Sequence, residues 1–217
     1  DAVFGQPLSS LRRHNGQCLP RTILEIIAYL RENCVDSVGI FRKNGVKSRI
    51  GANFLVADRE SDCNVFVGDD ELYPGQVHDV ADLLKQYLRE LPEPLMTNRL
   101  SKTFANIHQH FPKDEKLVAT RYGIMLLPEE NREALQTLLF FFADVAKNAD
   151  KNSMHAENIA VCLIPSLFQL SASRLNSIGP IRRHKTISGT GMPTDAGMRE
   201  TRAAQSCLTL MIKNAVE

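Results

Sequence analysis

The first segment that could do chemistry is residues 39–45, GIFRKNG. Its two glycines permit tight turns, Ile40 and Phe41 can anchor in a core, and two cations, Arg42 and Lys43, follow at the turn. Such a loop would hold a guanidinium outside the protein on a fixed base. A surface turn with an ordinary solvated arginine fits the same pattern, so the segment alone does not decide between them.

A phosphate-binding P-loop is excluded for this segment. The motif has four residues between its two glycines and a Lys directly after the second glycine, whereas here five residues intervene and Val46 precedes Lys47. The preceding residues 32–37, ENCVDS, are no buried strand. The strand, loop and helix that cradle phosphates are therefore not predicted.

Two further segments carry polar residues in a pattern. Lys85 and Arg89 stand four residues apart on a predicted helix, so two cations share one face and repel slightly unless an anion lies opposite. An ordinary charged stripe with Asp82 and Glu93 is the alternative. In the third segment Asn158 leads an apolar run, a pattern that by itself indicates only a helix start.

Metal and hydrolase chemistry find no support in the sequence. Of the six histidines only His108 and His110 are close, and two residues apart on a helix they point in different directions. A G-x-S-x-G elbow is absent, and the five cysteines include no C-x-x-C pair.

The elements that must position these residues are predicted to be helices. The chain of 217 residues is 43% hydrophobic, which suits one domain with a real core. Apolar residues recur with helical spacing in six stretches, so the predicted fold is an all-α, single-domain helical bundle over residues 1–217. The stretches run near residues 23–30, 77–91, 100–111, 128–145, 157–163 and 204–215, the fifth ending near Pro165. Only residues 63–67 look strand-like.

Charge, cysteine usage and hydropathy limit the classes of partner and the cellular compartment that we expect. The net charge of +1 disfavours a nucleic-acid partner. Odd, scattered cysteines favour a reducing, intracellular compartment, and no apolar run reaches transmembrane length, so membrane insertion is not expected. Because the chain begins without Met, we expect a fragment of a larger protein.

A long polar segment interrupts the helical pattern. Residues 171–201 are rich in Ser, Thr, Gly and Pro and are predicted to form a flexible loop insertion. Its basic core, residues 182–185, directs attention to Thr186 and Ser188 as possible phosphorylation sites. Lipid-surface binding through the same basic core is an alternative that would need more cations.

Together and in order, the three segments resemble the GTPase-activating domain of the Rho family, the RhoGAP domain. The quoted matches are GIFRKNG, then LLKQYLRELPEPL, then NIAVCLIPSL, of which the middle one is highly specific. Further stretches, including GVKSRI and MLLPEENREALQTLL, are similar to the deleted-in-liver-cancer subfamily, whose members also carry SAM and START domains.

The resemblance implies a mechanism and a set of site residues. Arg42 corresponds to the family's arginine finger, which enters the nucleotide site of a GTP-bound Rho protein. Lys85 and Arg89 match the paired cations that hold the finger loop and face the GTPase. Asn158 matches an Asn that positions local backbone, and Ser166 replaces an Asn that usually contacts the partner.

The resemblance also implies what the chain itself does not hold. Mg²⁺ and GTP belong to the partner, so no cofactor and no self-contained enzymatic activity are expected. A RhoA-like GTPase is the favoured partner, at cytoplasmic sites near membranes, adhesions or the cytoskeleton. A catalytically weak module that only binds GTP-bound Rho proteins as a scaffold is the alternative.

Overall fold

The computed structural model describes residues 3–48, 76–171 and 194–215. Every regular element assigned within these three ranges is an α-helix, which confirms the all-α prediction. In chain order the helices are α1 Leu8–Asn15, α2 Arg21–Asn33, α3 Gln76–Glu90, α4 Asn98–His110, α5 Lys116–Met125, α6 Glu129–Lys147, α7 Ala149–Asn152, α8 Ala156–Leu167 and α9 Asp195–Lys213.

The apolar stripes seen in the sequence form the core. In α2 the stripe is Ile23, Ile26, Ile27 and Leu30, which are all buried. Their spacing puts them on one face of the helix, and that face packs against α3 and α6. Burying a side chain of this size contributes about 1.5–3 kcal/mol, so the stripe rather than helix propensity fixes α2 in place.

An aromatic cluster carries the core up to the loop that contains Arg42. The Phe41 ring lies edge-on to the rings of Phe141 and Phe142 in α6, with centroid separations of 5.7 and 5.6 Å. Phe41 is only 1% exposed. The residue before Arg42 is therefore part of the hydrophobic core, and the loop is anchored to it.

Helix α8 ends near Pro165, as expected, but it includes the proline and continues to Leu167. Pro165 lies inside Ala156–Leu167 and removes one backbone donor, whose usual acceptor would be the carbonyl of Val161. Val161 is 53% exposed and Pro165 lies on the same exposed face, so water can satisfy that carbonyl. The helix tolerates Pro165 near its end because the proline faces solvent.

The predicted loop over residues 171–201 extends too far at its C-terminal end, because the structure has a helix there. Helix α9 begins at Asp195, after Thr194, whose hydroxyl accepts a hydrogen bond from the Gly197 N–H. The first turns of α9 expose Met198 and bury little apolar surface, which is why the sequence showed no helical period there. The rest of the expected loop, and the strand-like residues 63–67, lie outside the described residues.

Helix α5 was missed from the sequence for a related reason. Its apolar side chains Val118, Tyr122 and Met125 face solvent, each at least half exposed, and within the helix only Thr120 and Gly123 are buried. Without a buried apolar stripe, the segment has no periodic signal that separates it from a loop.

Candidate functional site

The loop that carries Arg42 leaves α2 and turns back on itself at Gly39. Gly39 has φ +75°, a conformation that favours glycine. Its N–H donates to the carbonyl of Asn152 at 2.8 Å, and its own carbonyl accepts from the N–H groups of Arg42 and Lys43, both at 2.9 Å. The N-terminal side of the loop is thus held to the end of α7.

Phe41 adopts a backbone conformation that is unusual for its type. Its φ is +66°, which costs an L-residue about 1–2 kcal/mol. Burial of its ring and a hydrogen bond from the Lys85 ammonium to its carbonyl, at 2.9 Å, offset that cost. The core therefore enforces a sharp turn just before Arg42.

The Arg42 side chain projects outward from this anchored turn. Arg42 is exposed, and no described residue accepts a hydrogen bond or makes an ion pair with its guanidinium. Its base is fixed while its five donors face solvent. The arrangement can present a planar cation to a group brought by another molecule.

Lys85 points into the protein rather than out of it. Lys85 is 7% exposed; besides bonding the Phe41 carbonyl, its ammonium pairs with Asp82 at 2.6 Å. A buried ammonium whose donors are used internally is unsuited to docking a partner directly. Of the two roles that the resemblance implied for Lys85, the geometry supports holding the finger loop.

Arg89, one turn further along α3, lies on the surface. It is exposed, and its Nη1 lies 3.5 Å from the hydroxyl of Ser166 in α8, at the limit of a hydrogen bond. A cleft of about 600 Å³ adjoins this pair, lined among others by Pro92 and Pro165. Arg89 is therefore an exposed cation in the lining of this cleft.

Ser166, at the position where the family usually has an Asn, lies beneath Arg89 in this structure. It is 3% exposed and its hydroxyl is directed at Arg89. A serine side chain reaches one atom less far than the asparagine it replaces, so it stays beneath the arginine. The described contact of Ser166 is with Arg89, and a contact of Ser166 with a partner stays a prediction.

Asn158 lies near the start of α8 and is half-buried. Its amide donates to the carbonyl of Ser153 at 3.3 Å. Ser153 has φ +58° and joins α7 to α8. The contact fits the role in positioning local backbone that the resemblance implied.

The sequence analysis missed Asp79 and Asn152, and it considered Asp82 only as part of a charged stripe with Lys85 and Arg89, of which the Asp82–Lys85 ion pair is present. Asp79 and Asp82, both in α3, accept hydrogen bonds from the N–H groups of Val46 and Gly45, each at 2.7 Å. Asn152 is fully buried and its amide donates to the carbonyls of Val35 and Val145. The spacing of Asp79, Asp82 and Lys85, three residues apart on one helix face, was the available signal.

The electrostatics of neighbouring groups agree with this placement. Burial raises the pKa of the Cys162 thiol, and the nearby charges of Lys85 and Arg42 oppose that rise. Burial, followed by the charge of Lys43, lowers the pKa of His78. Cys162 lies in α8, against which α3 packs, so the charges of Arg42 and Lys85 both act on this part of α8.

The remaining candidates lie elsewhere or outside the described residues. Within ranges 3–48, 76–171 and 194–215 no group of three His, Cys, Asp or Glu could hold a metal ion. In the same ranges no helix is long and apolar enough to span a membrane.

An apolar cavity of about 350 Å³ lies between α5, α6 and α9 and has none of the site residues in its lining. Thr186, Ser188 and the basic residues 182–185 lie outside the described part of the chain.

Solved structures with the same architecture define the class. Human Rho GTPase activating protein 15 superposes with a TM-score of 0.79, covering 100% of this chain and 91% of that one at 21% identity. The BH domain of Graf, the GTPase regulator associated with focal adhesion kinase, gives a TM-score of 0.69 over 89% of this chain and 90% of that one at 22% identity. The fold is that of the RhoGAP and BH domains.

The sequence comparisons make the assignment specific. The RhoGAP domain model matches residues 20–172, and the chain belongs to the RhoGAP domain family. It is 47% identical over 211 residues to Rho GTPase-activating protein 7 of Homo sapiens, covering 97% of this chain and 13% of that protein. It is 46% identical over 214 residues to human StAR-related lipid transfer protein 8, covering 98% of this chain and 20% of that protein. The chain thus spans about a fifth or less of these relatives.

Proposed function

We propose that this domain accelerates GTP hydrolysis by a small GTPase of the Rho family, with Arg42 as an arginine finger supplied in trans. The observation that carries the proposal is the combination of an exposed guanidinium with an anchored backbone. The Arg42 side chain has no partner among the described residues, while the residues on either side of it are bonded to α7 and α3. Membership of the RhoGAP domain family supports the same conclusion.

The chemistry follows from where charge develops during hydrolysis. Negative charge shifts between the γ- and β-phosphates in the transition state, and a positioned arginine neutralises it with planar, paired donors. An anchored backbone reduces the conformational entropy lost when the guanidinium is ordered. Arginine fingers contribute about 10³- to 10⁵-fold in rate, or about 4–7 kcal/mol of barrier.

The proposal includes a partner, its state and its surroundings. The GTPase is bound in its GTP form, contacts Arg89 and the cleft beside it, and supplies the Mg²⁺ and the nucleotide itself. A RhoA-like protein is the proposed partner, met in the cytoplasm near membranes, adhesions or the cytoskeleton. Similarity to Rho GTPase-activating protein 7 over 97% of the chain supports the class of partner.

The test is single-turnover GTP hydrolysis by Rho-, Rac- and Cdc-type GTPases with increasing amounts of the domain. We expect wild-type domain to stimulate a Rho-type GTPase most strongly. Arg42→Ala should lose about 10³-fold or more of the stimulation and keep its affinity for the GTP-bound partner, because the finger contact forms in the transition state. Arg42→Lys should restore little, since it keeps the charge and loses the fork.

Two results would contradict the proposal. Equal maximum rates for wild type and Arg42→Ala would show that Arg42 supplies no catalysis. Binding of the GTP-bound partner without any stimulation by wild-type domain would favour the scaffold role instead. Lys43→Ala is the matched control, because Lys43 is an exposed cation on the same loop and its loss should change the rate little.

A further inference from the structure

The C-terminal side of the finger loop is bonded to two carboxylates of α3. The N–H of Gly45 donates to Asp82 Oδ2 and the N–H of Val46 donates to Asp79 Oδ1, both at 2.7 Å. Asp79 is fully buried, and the Asp82 side chain is 15% exposed. Hydrogen bonds to ionised acceptors shielded from water are stronger than ordinary backbone bonds.

Asp82 also connects the two sides of the loop. Its second oxygen, Oδ1, pairs with the Lys85 ammonium at 2.6 Å, and that ammonium donates to the Phe41 carbonyl at 2.9 Å. One chain of contacts therefore joins Phe41 to Gly45 through α3. These two residues flank Arg42, so the loop is closed on both sides by a single helix.

Gly45 is the residue that permits this close approach. A Cβ placed on Gly45 would lie 2.6 Å from Asp79 Oδ1 and 2.7 Å from Asp79 Cα. Both distances are shorter than real Cβ contacts, and one involves the helix backbone, which cannot move aside cheaply. The loop and α3 are fitted to one another at this point.

We propose that Asp79 and Asp82 are positioning residues for the arginine finger, acting through Arg42 on the rate of hydrolysis and not on partner binding. The inference rests on the proposed function of Arg42. Displacing a catalytic group by about 1 Å can cost about 100-fold in rate, so bonds that limit the loop to one conformation act on the catalytic step. Neither carboxylate is available to a partner, because one is buried and both are engaged by the loop.

The experiment is a double-mutant cycle measured by GAP-stimulated, single-turnover GTP hydrolysis with a Rho-type GTPase. Asp79→Ala, Asp79→Asn, Asp82→Ala and Asp82→Asn are each made with Arg42 and with Arg42→Ala. With Arg42 present, we expect the alanine variants to lower the maximum rate by about 10- to 100-fold at nearly unchanged half-saturating GAP concentration. The asparagine variants keep an acceptor oxygen and should retain more activity.

In the Arg42→Ala background the same substitutions should cost less than twofold, because the finger they position is gone. Asp36→Asn is the matched control: Asp36 is an exposed carboxylate that precedes the loop and pairs with Lys151 instead of loop backbone. It should leave all parameters unchanged. Thermal unfolding of each variant identifies any that do not fold. Gly45→Ala then tests the contact between the loop and α3, because it displaces the loop while both carboxylates stay in place.

The outcomes separate this inference from the proposed function. If wild type gives no stimulation, or Arg42→Ala matches it, the proposed function fails. If Arg42→Ala is inactive while folded Asp79 and Asp82 variants keep the wild-type rate, the positioning role alone is overturned. The positioning role is also overturned if the loss of rate persists in the Arg42→Ala background, or if only the half-saturating GAP concentration changes. The carboxylates would then act on folding or docking.

Discussion

Removing the Lys85 ammonium should reduce the rate of stimulated hydrolysis and leave docking nearly intact. Lys85→Met keeps the length of the apolar chain and deletes the charge. The substitution removes the 2.9 Å hydrogen bond to the Phe41 carbonyl, a bond from a charged donor that contributes about 1.5–3 kcal/mol. It also leaves the Asp82 carboxylate without its partner at 2.6 Å.

The magnitude follows from the conformation that this bond maintains. Phe41 has φ +66°, which is disfavoured by about 1–2 kcal/mol, so without the bond the loop relaxes towards other conformations. If the full 1.5–3 kcal/mol acts on the productive loop conformation, the maximum rate falls by about 10- to 150-fold.

The assay is single-turnover hydrolysis by a Rho-type GTPase at increasing concentrations of the domain and at several salt concentrations. We expect a lower plateau with a similar half-saturating concentration and a similar salt dependence. Circular dichroism and urea unfolding verify that the variant is folded at the assay temperature. An unchanged plateau with weaker, less salt-sensitive binding would refute the reasoning, because Lys85 would then be a docking cation despite its burial.

Three further predictions concern other described residues. Arg89→Ala should show the opposite kinetics, weaker association with a shallower salt dependence at an unchanged plateau, because the side chain is exposed beside the cleft. Burial, and then the charge of Lys116, lowers the pKa of His108 to about 4. Between pH 6.5 and 4 only the unfolded chain takes up a proton at this histidine, so the free energy of unfolding should fall by about 1–3 kcal/mol over that range. Urea titrations at each pH measure this, and His108→Asn should flatten the profile. Asn152→Ala should destabilise the fold by about 2–4 kcal/mol by urea unfolding, because it leaves buried carbonyls unpaired; a loss under 1 kcal/mol would contradict this.

Much of the helical framework could be predicted because it depends on local periodicity. The stripe in α2 and the ends of α3 follow from the order of apolar residues and from Pro92, and each needs only near neighbours in the chain. Helix α5 could not be found in this way because its apolar residues face solvent. The course of α8 through Pro165 depended on which side of the helix the proline occupies.

The candidate site was likewise predictable in part from the sequence. A loop offering Arg42 on a base of Ile40 and Phe41, and two cations one turn apart at Lys85 and Arg89, can be identified from residue types and spacing alone. That one of those cations is buried and the other exposed is not a property of spacing, because both belong to the same helix face.

The amino-acid sequence by itself determined the helical class, the family and the position of the exposed arginine, since these depend on composition and on motifs read over a few residues. Only the tertiary structure decided what holds that arginine in place. Gly45 meets Asp82 across 37 residues, and Gly39 meets Asn152 across a longer separation still. Such contacts arise from how helices pack, and packing depends on the whole core rather than on any one segment.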